Sequence, residues 1–77
     1  MKHKLLDTIV LARNLSAHGL LAGDLGAIVE VYGPDAFEVE FVTASGRTGA
    51  LVTLRDEDIR PVADTDLVAV RTLKRSA

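Results

Sequence analysis

The seven residues Ala36–Val42, AFEVEFV, alternate apolar and acidic side chains around a single period. A period of two belongs to a half-buried β-strand, because successive side chains point to opposite faces. Phe37, Val39 and Phe41 then share the face that must be covered, and Glu38 and Glu40 share the face open to solvent or a partner. One strand cannot bury such a face alone, so the rest of the chain has to supply both sheet and cover.

Turn signals divide that remainder. They fall at Asn14, Gly19, Gly23–Gly26, Gly33–Pro34–Asp35, Ser45–Gly46 and Arg60–Pro61, with short segments rich in Val, Ile, Leu and Phe between them. Such spacing predicts several short antiparallel strands and no helix with a 3.6-residue period. Strands are expected at Leu5–Ala12, Ala27–Tyr32, Ala36–Val42, Gly49–Leu54 and a last short one from Arg60 to Val62, with Ala50, Val52 and Leu54 inward. Residues 13–22 read as a loop with a helical turn. The acidic run Asp56–Glu57–Asp58 is poor strand material and suits one turn of 3₁₀ helix. Strand, long loop, three-strand meander, 3₁₀ turn and short strand is the order of a small all-β SH3-like barrel, placed at residues 1–63. Residues 64–77 form an extension in which Leu67–Leu73 is apolar enough for a further strand. That strand could pair with the barrel's own edge, or offer an edge to another chain and make a homodimer.

Charge is unevenly spread over the 77 residues. Lys2, Lys4 and Arg13 outweigh Asp7 at the start, and Arg71, Lys74 and Arg75 form a basic tail. Between Asn14 and Val70 only Arg47, Arg55 and Arg60 oppose the acids, so the body is acidic. An acidic body repels nucleic acid and attracts cationic surfaces. The chain has no cysteine, which removes disulfides, thiolate metal sites and cysteine nucleophiles. Its N-terminus is basic and then apolar, but Asp7 interrupts the run and no small-residue cleavage site follows. No segment approaches the ~18 apolar residues of a membrane span. These features predict a cytoplasmic, non-membrane protein.

The segments KLLDTIVLARNLSAHGLLAGDLGAIVEVY, FEVEFV, GRT, LVTL and IRPV, in that order, resemble a family of short bacterial proteins, domain of unknown function 4926. The resemblance covers about residues 4 to 62. It implies the barrel and a bacterial origin, and it brings no activity or site residues. Two departures stand out: Gly49 lies where a larger apolar residue is expected, and the chain continues well past Val62.

A phosphate cradle needs glycines feeding a helix N-terminus and a cationic partner. Gly23–Gly26 feeds a strand and encloses Asp24, so it is read as a corner in which Asp24 accepts backbone N–H bonds. His3 sits at an expected frayed end and His18 in a loop, where a hydrogen-bonding role is expected; neither has the neighbours of a catalytic group. Asp56, Glu57 and Asp58 lack the spacing of a calcium loop and read as helix-capping or solvated acids. No catalytic, cofactor-binding or metal-binding residue is assigned, and no cofactor is expected.

What remains is a contact surface. Glu30, Glu38 and Glu40, with Arg71, Lys74 and Arg75 of the tail, are the candidate partner-binding residues. Clustered carboxylates repel one another, so Arg47, Arg55 or a partner is expected to offset them. The expectation is a non-enzymatic module that binds another, basic protein, as the neutralising partner of a toxin or as an accessory subunit of an enzyme. The alternative is a nucleic-acid-binding barrel working through its basic tail.

Overall fold

The computed structural model describes residues 3–74. Five strands, β1 (Thr8–Leu11), β2 (Leu25–Val31), β3 (Ala36–Val42), β4 (Thr48–Arg55) and β5 (Ile59–Pro61), form one antiparallel sheet in the order β4-β3-β2-β1-β5. Two 3₁₀ turns, Ser16–His18 and Asp56–Asp58, are the only helical elements among the described residues. The all-β architecture with a 3₁₀ turn before the last strand is the one expected.

β3 spans the alternating heptapeptide, Ala36 to Val42. Phe37, Val39 and Phe41 are buried, and with Ile9, Leu11 and Ile28 of β1 and β2 they form the centre of the core. β4 adds Leu54, with Ala50 and Val52 packed against it, so all three expected inward residues face the core. The turn before β5 also forms as expected. Arg55 N–H donates to Asp58 Oδ2 at 2.9 Å, and Arg13 Nε donates to Asp58 Oδ1 at 2.6 Å. Burial works against ionisation of Asp58, but these two donors outweigh it and hold the carboxyl below its ordinary range.

Three expectations need correction. β1 is shorter than Leu5–Ala12, because Leu6 takes a positive φ of 72° and Lys4 N–H donates to Asp7 Oδ2, turning the chain before Thr8. His3 is not frayed: its side chain is 6% exposed, its ring stands edge-on to Phe37 at 5.6 Å, and Nε2 lies 3.5 Å from Asp56 Oδ1. The extension forms no further strand among the described residues, which run to Lys74. The extension is instead held by Arg71 on Asp24 and by Leu73 packed against the core.

Gly23 and Gly26 have different reasons for being glycine. Gly23 turns with φ +100°, beside Leu21 N–H donating to Asp24 Oδ2 at 2.8 Å, which is the corner anticipated. Gly26 lies within β2 under the core, where a Cβ would stand 2.7 Å from Val39 Cγ1 and 2.9 Å from Phe41 Cε2. Gly26→Ala should therefore destabilise the fold by about 1–3 kcal/mol through overpacking. A urea midpoint equal to that of the parent chain would contradict this account.

Candidate partner-binding surface

The outer face of the β2–β3–β4 sheet gathers the predicted carboxylates. Glu30 and Glu38 are directly opposed across β2 and β3, and Glu40 follows two residues along β3 on the same side. Like charges placed directly across a strand pair repel. The expected arginines do not offset them. Arg55 lies 3.5 Å from Asp35 instead, and Arg47 makes no ion pair among the described residues. Threonines of β4 serve the carboxylates: Thr53 Oγ1 donates to Glu38 Oε1 at 2.5 Å, and Thr48 Oγ1 donates to Glu40 Oε2. These bonds orient the carboxylates and leave their charge in place.

Sequence reasoning missed the apolar part of this face. Glu40 is opposed by Ala27 on one side and Leu51 on the other, and it lines a shallow groove of about 230 Å³ with Leu25 and Val42. Leu25, Val42 and Leu51 are exposed. Val42 in FEVEFV and Leu51 in GALVTL have the outward parity of Glu40, so the signal was present in the alternation. The surface is thus acidic at the Glu30–Glu38 end and apolar at the Leu25–Val42–Leu51 end.

The basic tail is arranged differently from the expectation. Arg71 is not a free cation. Its Nε donates to Asp24 Oδ1 at 2.9 Å, Nη2 reaches Asp24 Oδ2 at 2.5 Å, and Nη2 also donates to the Gly19 carbonyl at 2.9 Å. The Arg71 bonds, chief among several causes, hold the Asp24 carboxyl below its ordinary range. Lys74 is exposed and lines a cleft of about 330 Å³ with Ser16, His18, Gly19 and Gly49. Arg75 lies outside the described residues. Among the described residues, Arg71 and Lys74 are therefore not gathered with Glu30, Glu38 and Glu40 into one site.

His18 and Ser16 line that cleft, but no hydrogen bond joins them among the described residues. His18 donates its backbone N–H to the Leu15 carbonyl at 3.0 Å, and the hydrogen-bonding role expected of its side chain is not seen among the described residues. No group of three His, Asp or Glu residues is placed to hold a metal ion among the described residues. No described helix is long and apolar enough to cross a membrane.

Gly49 and the C-terminal extension meet in the structure. A Cβ at Gly49 would stand 2.9 Å from the Phe41 carbonyl and 3.0 Å from Leu73 Cδ2, while one at Gly19 would collide with the Lys74 carbonyl. The two glycines open a slot into which Leu73 packs against the core.

The fold and this surface define a small antiparallel β domain with a mixed acidic and apolar sheet face. The chain belongs to the family described as Domain of unknown function (DUF4926), whose model matches residues 5–61. Comparison with curated proteins and with solved structures found no match.

Two outcomes follow. Gly49→Val should expel Leu73 from its slot, so trypsin should cut after Arg71 and Lys74 faster than in the parent chain; an unchanged cleavage rate would refute the slot. Separately, partial desolvation, followed by the Glu38 and Glu30 carboxylates, pushes the Tyr32 hydroxyl above its ordinary pKa, since phenolate there would face like charge. Tyr32 is the sole tyrosine and there is no tryptophan, so the phenolate absorbance reports this residue alone. Glu38→Gln should move that titration to lower pH.

Proposed function

We propose that this protein is a non-enzymatic bacterial module with an SH3-like barrel that binds a basic partner protein through Glu30, Glu38 and Glu40 in the cytoplasm. The strand order, with a 3₁₀ turn immediately before β5, supports the barrel assignment. One observation carries the functional reading: Glu30 and Glu38 oppose each other directly, and no cation of the described chain pairs with either. A face kept at that electrostatic cost is suited to cations from elsewhere. The exposed Leu25, Val42 and Leu51 supply the apolar area that a protein contact needs beside its charges. A toxin-like nuclease to be neutralised, or an enzyme that takes this chain as an accessory subunit, presents suitable basic surface.

The nucleic-acid alternative draws less support. Both phenylalanines are buried, so neither can stack on a base, and Arg71 is engaged by Asp24.

Two measurements test the reading. Tagged protein should retain a stoichiometric basic partner from native lysate, released by salt and absent when Glu30, Glu38 and Glu40 are all changed to lysine. In the isolated chain, Glu30→Lys should raise stability by about 0.2–1 kcal/mol, because a repulsive cross-strand pair becomes attractive. A partner that persists on the triple variant would remove this face from the function.

A further inference from the structure

β4 and β5 are the two edges of the sheet, and β4 is the long one. It has eight residues against three in β5, which ends in Pro61 and so lacks an N–H there. The pairing of β4 with β3 runs unbroken from Arg55 opposite Ala36 to Ala50 opposite Phe41. Antiparallel pairs alternate between residues that exchange backbone hydrogen bonds and residues that do not. Asp56 N–H donates to the Asp35 carbonyl at 3.0 Å, whereas Arg55 N–H turns away from β3 to Asp58 Oδ2 at 2.9 Å. The same alternation directs the N–H and C=O of Leu51 and Thr53 away from β3. Among the described residues, no hydrogen bond outside the sheet uses the backbone of residues 50–54. This stretch, Ala-Leu-Val-Thr-Leu, holds no charge, no proline and no bulge, so it lacks the devices that keep an edge from pairing.

Given the acidic face as the partner's site, on which this inference depends, we propose that the basic partner joins β4 as a sixth strand. The joining segment is extended and carries cationic side chains at alternate positions. Its residues opposite Leu51 and Thr53 share the outer face with them, two strand spacings or about 10 Å from β3. On β3, Leu51 is paired with Glu40 and Thr53 with Glu38. A lysine or arginine opposite Thr53 crosses one short side chain to reach Glu38. Another opposite Leu51 lays its aliphatic stem on that exposed leucine and reaches Glu40 with its charge. Arg55 is the next outward residue of β4, so the partner residue facing it is not a cation. The residue between the two cations faces Val52, which packs against the core, and is therefore apolar. Backbone bonds at the edge supply affinity, and the alternation supplies specificity. A second copy suits this edge less well, because its β4 holds a single cation, Arg55, which already stands beside Asp35.

Amide hydrogen exchange with a synthetic peptide that alternates lysine and valine tests the pairing. The peptide should slow exchange at Leu51 and Thr53 about tenfold near saturation. A peptide of the same composition with its lysines in one block should not. Thr53→Pro removes an outward N–H, leaves Glu30, Glu38 and Glu40 in place, and should weaken binding of the alternating peptide about tenfold. N-methylating the peptide on the bonds that face β4 repeats this test on the parent chain, so a folding defect in the proline variant cannot hide the answer. Undiminished binding after N-methylation, or unprotected Leu51 and Thr53 amides in the peptide complex, would overturn the inference. Protection that appears without peptide and grows with protein concentration, together with a doubled mass, would overturn it in favour of a second copy. The triple Glu→Lys variant separates the two proposals. Binding lost in that variant, with Leu51 and Thr53 unprotected in the parent complex, keeps the acidic face and removes the edge. Protection that persists in it removes the acidic face, and with it the cationic pattern.

Discussion

The packing of Phe37, Val39 and Phe41 on the inner face of β3 is the constraint on which the remaining structure rests. β3 lies between β2 and β4, so its inward side chains touch what both neighbours and β1 contribute to the core. Their bulk requires a glycine at position 26. Phe37 also supplies the surface on which the His3 ring settles. Because a strand's two faces are coupled by its pleat, fixing these three residues inward also fixes Glu38 and Glu40 outward. The candidate surface is therefore the reverse side of the core, set by the same register.

That coupling accounts for how much was legible in the sequence. Where apolar and acidic side chains alternated strictly between two turn signals, local pattern and tertiary outcome agreed, and β3 runs over the expected residues; the acidic run Asp56–Asp58 likewise forms the expected 3₁₀ turn. The opposition of Glu30 and Glu38 was only partly readable, because it depends on an irregularity between Ile28 and Glu30 that shifts the register of β2. Periodicity carries no mark of such a shift. The apolar members of the outer face were readable from parity, yet isolated valines and leucines in a strand look like core until their direction is known.

What escaped the sequence came from contacts between distant parts of the chain. Leu20 belongs to the core although it sits in a loop without periodicity, placed there by a bridge between Leu15 and Leu20. Arg71 looked like a solvated tail cation, and its partner Asp24 looked like a turn residue; each is correct locally, and their bond spans 47 positions of sequence. Long-range ion pairs of this sort leave no spacing rule to find.

Leu73 in its slot has a consequence for comparing this chain with others of its kind. Position 49 is bounded by the Phe41 carbonyl on the sheet side and by Leu73 on the extension side, so a side chain there would press on both. A relative that ends near position 61 has no side chain to enter the slot, and a larger residue at the equivalent of Gly49 would close it from the sheet side. A glycine in β4 is thus a condition for the docked C-terminal arm, and the arm's attachment is written partly in the sheet.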